Sequence, residues 1–239
     1  MLKIQALTKS FDDFTALNGL DLNIEKGSIY GLIGINGSGK TTLIKHITGT
    51  LMQDSGSVQI EGQDVFDNIE IKERLGYIPD ELYFIPGYNI IAESKFYKQL
   101  YPNWDQERFE KMLTDFGLPG NKRIAKFSKG MQKQAAFILT MSTKPDYLIL
   151  DEPVDGLDPI MRKKVWQYIV SEVAERQMTV LVSSHNLREL EGLIDSVGIL
   201  IGGKMKAERS NLDELESEGG LLSLEELFFE EMEVAENEK

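Results

Sequence analysis

The sequence predicts an α/β fold in which a mostly parallel β-sheet is covered by helices on both faces. Short apolar runs, typical of buried strands, alternate with longer segments of helical periodicity. Strands of a parallel sheet are buried on both faces, so a continuous apolar run such as 29–33 is their expected pattern. The middle third of the chain is dominated by helical patterns, which predicts a helical subdomain inserted at about 81–145.

The predicted elements follow in the order of the chain. Apolar residues that alternate or run together predict strands at 2–6, 20–24, 29–33, 58–60, 147–150 and 179–183. Helical spacing predicts helices that start near 41 and near 129, and helices at 90–100, 106–116, 159–176 and 187–194. Glutamate dominates from Asn211 onward, but the spacing of Leu224, Leu227 and Phe228 predicts one last helix before a solvated end.

These elements predict one large domain and a tail. A chain of 239 residues is long enough for a single large domain that carries a subdomain. Residues 1–210 are predicted to form this domain, with the helical subdomain inserted in it. Residues 211–239 are predicted to form an acidic C-terminal helix and tail.

Composition excludes several classes of function. The formal net charge is −13, which argues against nucleic acid as a partner, because phosphate neutralisation needs lysine and arginine. The chain has no cysteine and two histidines, so disulfides, thiolate catalysis and cysteine- or histidine-rich metal sites are excluded. No signal peptide is recognisable, and no apolar run approaches the length of a membrane span. The chain is therefore expected not to cross a membrane by itself.

A phosphate-binding loop is predicted between the apolar run 29–33 and the helix near 41. Residues 34–41 fit the pattern G-x-x-x-x-G-K-[ST] in the strand–helix context that this pattern requires. Backbone N–H groups of a glycine-rich loop converge on phosphate oxygens, and the helix N-terminus adds partial positive charge. Lys40 can reach the β- and γ-phosphates, and the Thr41 hydroxyl can ligate Mg²⁺. The predicted nucleotide contacts are Asn36, Gly37, Ser38, Gly39, Lys40, Thr41 and Thr42.

Two adjacent carboxylates are predicted to complete this site. Asp151 and Glu152 follow the apolar strand 147–150, and open α/β sheets bind ligands at the carboxyl ends of their strands. Asp151 is the predicted Mg²⁺ ligand. Glu152 is the predicted catalytic residue that orients or deprotonates the attacking water. Taken alone, an acidic pair after an apolar run often marks no more than the end of a strand. The prediction therefore depends on the presence of the phosphate loop in the same sequence.

Three further segments give the chain a resemblance to a known family. They are 126–132, which contains the sequence FSKGM, the acidic extension 151–159, and 183–185 after the next strand. Their order and spacing resemble the ATP-binding-cassette ATPases over almost the whole chain. The resemblance implies the P-loop cassette fold, a sandwich dimer and a role in transport.

The resemblance also implies roles for individual residues. Ser128 and Gly130 match the signature loop, which contacts the γ-phosphate of ATP bound to the opposite subunit. Asp158 matches the loop that links the two sites of the dimer, and His185 matches the histidine that bonds the γ-phosphate. Phe11 stands where the family places an aromatic residue that stacks on adenine, and the nearby Phe14 is an alternative. His46, on the helix after the phosphate loop, is expected to be structural.

Two segments depart from the commonest family pattern. The signature loop is usually LSGGQ, and FSKGM resembles the variant of exporter-type members. After the segment 76–79 the family usually has a glutamine that touches the metal or the water and couples the site to a membrane subunit. Asp80 stands there instead. It is either a third metal ligand, beside Thr41 and Asp151, or a solvated loop charge.

The resemblance implies a subunit that binds ATP and Mg²⁺ and powers a separate transmembrane permease. The expected partners are this permease and a second cassette, identical or different, and the expected location is the cytoplasmic face of the cell membrane. The segment 223–229 resembles the end of exporter ATPases for drugs, lipids or peptides, which favours export over import. A soluble cassette ATPase that acts on ribosomes or DNA is the alternative, although the chain has one cassette and an acidic charge. A nucleotide kinase or switch GTPase is disfavoured, because the guanine motif Asn-Lys-x-Asp is missing and the signature loop would be unexplained.

Overall fold

The computed structural model describes residues 1–210 and 223–237. Its strands are β1 (Leu2–Phe11), β2 (Phe14–Ile24), β3 (Ile29–Ile33), β4 (Ser55–Ile60), β5 (Gln63–Asp64), β6 (Leu75–Ile78), β7 (Tyr147–Asp151), β8 (Thr179–Ser184), β9 (Ser196–Ile201) and β10 (Lys204–Ser210). Its helices are α1 (Lys40–Ile47), α2 (Ile69–Glu73), α3 (Ile90–Leu100), α4 (Gln106–Phe116), α5 (Lys129–Ser142), α6 (Pro159–Arg176) and α7 (Leu224–Asn237).

The central sheet has six strands in the order β10-β9-β3-β8-β7-β6. Neighbouring strands from β9 through β3, β8 and β7 to β6 are parallel. In this sheet, β10 runs antiparallel to its neighbour β9. The prediction of a mostly parallel sheet in an α/β fold is therefore confirmed. Because β3, β7 and β8 are neighbours and point the same way, their carboxyl ends meet at one edge.

A second sheet, not predicted as separate from the first, consists of antiparallel strands in the order β2-β1-β4-β5. Leu2 and Ile4 of β1 pair with Ile24 and Leu22 of β2, so the apolar residues of both strands share a face. This face is buried. It packs toward α1 and the central sheet, which explains the alternation of apolar and polar residues seen in the sequence.

The residues of β3, β7 and β8 alternate between two apolar cores. Ile29, Ile33 and Leu150 belong to the core that includes residues of α5 and α6. Leu32 and Ile149 belong to the core formed with α1 and the antiparallel sheet. A strand with both faces buried needs apolar residues at every position, which is why these runs are continuous.

Of the three helices between β6 and β7, α3 and α4 start and end where the sequence predicts, and α5 starts where it predicts. Asn89 and Asp105 cap α3 and α4 by accepting hydrogen bonds from backbone N–H groups of the first turn. Gly117 ends α4 in the left-handed conformation, at φ 65°. The division of the chain into residues 1–210, with a subdomain at about 81–145, and residues 211–239 stays a prediction.

The prediction of a helix at 187–194 was wrong. A short 3₁₀ helix, Leu187–Glu189, is followed by turns. Gly192 has φ +69°, which breaks helical geometry. Leu190 and Ile194 are buried without it. The strands β9 and β10, which follow this segment, were not predicted, although Val197, Ile199 and Leu200 are buried in β9.

The last predicted helix is present as α7. Leu224 and Ala235 are buried, and Leu227 and Phe228 pack against the larger core. Residues 211–222 and 238–239, which belong to the predicted acidic tail, lie outside the described residues. No helix within 1–210 or 223–237 combines the length and apolar character that a bilayer crossing requires.

Candidate functional site

The loop between β3 and α1 is shaped by glycines. Gly39, the residue before α1, has φ 110°, and a Cβ there would lie 2.8 Å from the carbonyl oxygen of Ala16. Gly37 has φ +81°. Asn36 is exposed, whereas Ser38 is buried and its hydroxyl has no hydrogen-bond partner among the described residues. A glycine-rich turn that leads into an eight-residue helix leaves the first N–H groups of that helix free for phosphate oxygens.

Lys40 lies folded over this loop. Its side-chain nitrogen donates hydrogen bonds to the carbonyl oxygens of Gly34, at 2.6 Å, and Ile35, at 3.2 Å. Burial lowers the pKa of Lys40, and the nearby carboxylates of Glu152 and Asp151 act in the opposite direction. The ammonium group is therefore held by the loop carbonyls, within electrostatic range of the two carboxylates that the sequence assigns to the same site.

Asp151, at the end of β7, connects the start of α1 after the phosphate loop to the end of the neighbouring strand β8. Its carboxylate accepts hydrogen bonds from the Thr41 hydroxyl, at 3.1 Å, and from the Ser183 hydroxyl. Ser183 is the residue of β8 that pairs with Asp151 of β7. No role for Ser183 is predicted from the sequence. The signal that could have found it is a hydroxyl residue at the end of the strand that neighbours β7.

Glu152 and His185 also come together. His185 Nδ1 lies 2.9 Å from a carboxylate oxygen of Glu152, and 60% of the histidine side chain is exposed. The hydrogen bond and charge of Glu152 raise the pKa of His185. Glu152 has φ +49°, in the left-handed region that a non-glycine residue rarely adopts. Strained backbone of this kind is concentrated at functional sites.

The oxygen donors fit a Mg²⁺ ion. Thr41 Oγ1 and Asp151 Oδ2 are hard ligands that already lie within hydrogen-bond distance of each other. Mg²⁺ is commonly held by one or two such side chains together with substrate phosphates. The carboxylate of Asp80 bonds to Lys133, at 3.4 Å. The metal-ligand role that the sequence offers for Asp80 stays a prediction.

Other predicted contacts lie apart from this cluster. Ser128 caps α5, and its hydroxyl accepts a hydrogen bond from the N–H of Met131 at 3.2 Å. A Cβ on Gly130 would lie 3.1 Å from the carbonyl oxygen of Gly156. Asp158 caps α6. Within the described residues no hydrogen bond joins Ser128, Gly130 or Asp158 to the phosphate loop.

The two aromatic candidates for an adenine contact lie at a hairpin. Phe11 ends β1 and pairs with Phe14, which begins β2. Both rings are exposed, at 46% and 63%. The side-chain nitrogen of Lys9 lies 5.6 Å from the centre of the Phe11 ring. Both rings remain candidates for stacking. Thr42, the last of the predicted nucleotide contacts, lies in α1. Its carbonyl oxygen accepts a hydrogen bond from the buried His46 at 2.7 Å, which agrees with a structural role for this histidine.

Comparisons with known proteins identify the family that this chain resembles. The family model described as ABC transporter matches residues 17–155. The chain is 36% identical over 234 residues to the lantibiotic transport ATP-binding protein SrtF of Streptococcus pyogenes, covering 90% of this chain and 95% of that protein. It is 32% identical over 218 residues to the ABC transporter ATP-binding protein YtrB of Bacillus subtilis, covering 91% of this chain and 74% of that protein.

A solved structure described as the ATP-binding subunit of an ABC transporter is similar over nearly the whole chain. It superposes with a TM-score of 0.88 at 27% sequence identity, covering 97% of this chain and 99% of the other. The similarity therefore extends beyond residues 17–155, which the family model matches, to most of the chain on either side of that range.

Proposed function

The chain belongs to the ATP-binding-cassette family of transporter ATPases, and from this premise we propose that it hydrolyses MgATP between two cassettes to drive export through a separate permease. One observation carries the proposal. Thr41 and Asp151 bond to each other beside Lys40, and Glu152 contacts His185 at the same edge of the sheet. A phosphate cradle, two hard oxygen ligands and a base candidate are thus within one site.

The proposed chemistry is the in-line attack of water on the γ-phosphorus: a bond forms between the water oxygen and the phosphorus, the bond to the β–γ bridging oxygen breaks, and ADP and inorganic phosphate leave. Catalysis of phosphoryl transfer depends mostly on positioning and on stabilisation of charge. Bound Mg²⁺ supplies neutralisation of the phosphate oxygens, and Thr41 and Asp151 are its proposed ligands. Lys40 exchanges its carbonyl partners for β- and γ-phosphate oxygens. Glu152 orients the attacking water and accepts its proton, and His185 turns from Glu152 to the γ-phosphate.

A second cassette is needed to complete the site. Ser128 and Gly130 lie at the N-terminus of α5, where free N–H groups favour an anion. We assign these two residues to the γ-phosphate bound by the opposite subunit, and Asp158 to the contact between the two sites. ATP then joins the cassettes, and hydrolysis releases them, so that the nucleotide selects between two states of the dimer.

The permease is proposed to bind near the helices between β6 and β7. Exposed apolar side chains are frequent there, and Tyr83, at 81%, and Leu100, at 53%, are among them. Such residues are candidates for a protein contact when they cluster. The cargo class follows from relatives. SrtF is named for lantibiotic transport, and lantibiotics are peptides, so a peptide or another amphiphilic molecule is the proposed cargo.

The test is to capture the tagged chain from gently solubilised membranes of its native host. We expect a polytopic membrane protein in stoichiometric amount, and a second cassette if the dimer is mixed. Tyr83→Asp should lose this protein, whereas Phe229→Asp, which changes an aromatic residue that is 63% exposed on α7, should keep it. Ribosomal or DNA-bound proteins in place of a permease would instead support the soluble alternative and remove the membrane assignment.

A further inference from the structure

Lys133 of α5 joins three segments of the proposed site. Its side-chain nitrogen donates a hydrogen bond to the carbonyl oxygen of Glu152 at 2.7 Å. The same nitrogen lies 3.4 Å from a carboxylate oxygen of Asp80 in the loop after β6. The Lys133 side chain is 10% exposed, so the ammonium is largely withdrawn from water. No motif in the sequence points to this residue.

The bond to Lys133 acts on the backbone that aims the Glu152 carboxylate. Glu152 has φ +49°, and its N–H donates to the carbonyl oxygen of Ser183 at 3.2 Å. Its carbonyl is held by Lys133. With the peptide groups on both sides fixed, the direction of the Cα–Cβ bond is fixed as well. The side chain is thereby directed to the place where it contacts His185 at 2.9 Å.

Asp80 reaches Glu152 through the same ammonium. Its side chain is 57% exposed and its contact with Lys133 is long, so the ion pair by itself contributes little to stability. The ion pair matters for the geometry of the site, because the Asp80 carboxylate and the Glu152 carbonyl oxygen share the Lys133 ammonium as their donor. A contact that draws Asp80 toward another partner changes the position of the ammonium and, with it, the backbone at Glu152.

We infer that Lys133 is a positioning residue for Glu152 and that Asp80 acts on hydrolysis through Lys133, which links the loop after β6 to the attacking-water site. This inference rests on the proposed role of Glu152 as the base. It assigns to the loop at Asp80 a direct connection to the chemistry, through one side chain and one backbone carbonyl.

The first test compares variants of Lys133 in the full-length chain. Lys133→Met keeps the apolar stem and removes the charge-assisted hydrogen bond, and it should lower kcat about tenfold, the rate equivalent of losing one such bond. The KM for ATP and the Kd of a fluorescent ATP analogue should stay within about twofold, because the phosphate cradle is untouched. Lys133→Arg should recover most of kcat. Lys111→Met, an exposed lysine on α4, is the matched control.

A double-mutant cycle tests the path through Asp80. Asp80→Asn alone should lower kcat by about threefold, and it should have no further effect in the Lys133→Met background. The Mg²⁺ concentration for half-maximal activity should not change. If Asp80→Asn lowers kcat equally in both backgrounds, or raises the Mg²⁺ requirement, Asp80 acts on the metal and the inference fails.

Controls separate this inference from the proposed function. Glu152→Gln is assayed in parallel: if it hydrolyses ATP normally, the role of Glu152 fails and the inference fails with it. If Glu152→Gln is inactive while Lys133→Met keeps normal kcat, only the inference fails. Thermal unfolding checks that each variant folds. If Lys133→Met does not fold, it is replaced by Lys133→Gln, which keeps an uncharged hydrogen-bond donor. A wild-type kcat in Lys133→Gln, together with an inactive Lys133→Arg, would overturn the inference.

Discussion

The Nδ1 atom of His185 lies 2.9 Å from a carboxylate oxygen of Glu152, so the residues that follow β8 and β7 are in direct contact. The two strands are parallel neighbours, and their carboxyl ends are brought side by side by the sheet. The pair that the sequence assigns to catalysis is therefore already assembled within one subunit. In the proposed mechanism, the partner subunit supplies the remaining groups that contact the γ-phosphate.

Replacement of Glu152 by glutamine should separate ATP binding from hydrolysis. The amide keeps the size of the side chain but cannot accept a proton, so turnover should fall by about a hundredfold or more. MgATP should then hold two chains together, measured as a dimer by size-exclusion chromatography with light scattering. Glu107→Gln, an exposed change on α4, should hydrolyse ATP normally and stay monomeric after turnover. Normal hydrolysis by Glu152→Gln would contradict the assignment of the base.

The two histidines should titrate on opposite sides of the ordinary histidine pKa of about 6.5. Glu152 raises the pKa of His185, whereas burial lowers the pKa of His46. The charged His185–Glu152 pair is complete below the raised pKa and is lost as the pH rises through it. With two histidines in the chain, NMR titration of the imidazole protons in nucleotide-free protein resolves both. Glu152→Gln should return the pKa of His185 toward its ordinary value and leave the pKa of His46 unchanged. Equal pKa shifts at both histidines would refute the pairing of His185 with Glu152.

The sequence predicts those parts of the molecule that depend on local patterns. The strands β3, β7 and β8 are continuous apolar runs because both of their faces are buried. The phosphate loop is a local motif, and its position between β3 and α1 follows from the same run. The meeting of Asp151, Glu152 and His185 follows from the rule that ligand sites lie at the carboxyl ends of parallel strands.

The parts that the sequence did not predict depend on distant partners. Lys133 binds a backbone carbonyl at Glu152, which leaves no side-chain pattern to recognise. The segment 187–194 has helical spacing, but Gly192 breaks the helix and the packing of Leu190 and Ile194 decides its path. The strand β10 is largely polar, and its strand conformation comes from pairing with β9.

Glu172 should be one of the most sensitive charged residues for folding. Its carboxylate accepts hydrogen bonds from Arg108 at 2.6 Å and from Arg176 at 2.7 Å, and 9% of its side chain is exposed. Glu172→Ala leaves the Arg108 guanidinium largely buried without its partner, so the free energy of unfolding should fall by about 3 kcal/mol. Urea denaturation measures this loss. The double variant Arg108→Met/Glu172→Met should recover part of it, and simple additivity would show that the two side chains do not interact.

Glu61 should stabilise the fold at neutral pH but not in acid. The bidentate contact with Arg74 and the Tyr147 hydroxyl lower the pKa of Glu61 to about 2. A depressed carboxyl pKa contributes stability above the unfolded value and loses it as the pH falls through the folded value, here between about 4.3 and about 2. Because the group is partly exposed, Glu61→Gln should lower the Tm by only about 2–4 °C at pH 7. The difference should shrink at pH 3, and Glu25→Gln should show none at either pH.

Asp158 has a structural and a proposed functional role, which two substitutions can separate. Its carboxylate caps α6 by accepting hydrogen bonds from the N–H groups of Ile160, at 3.0 Å, and Met161, at 3.1 Å. Asp158→Ala removes the cap and should cost about 1 kcal/mol, measured by urea denaturation. Asp158→Asn is an equally good cap, so it should unfold like the wild type.

If Asp158 also links the two sites of the dimer, Asp158→Asn should still lower the ATPase rate. The reason is that an amide retains the capping geometry of α6 while it lacks the charge of the carboxylate. The rate is measured at saturating ATP and at several protein concentrations, because a defect between subunits depends on dimer formation. A wild-type rate in Asp158→Asn at every concentration, together with the stability loss in Asp158→Ala, would restrict Asp158 to the capping of α6.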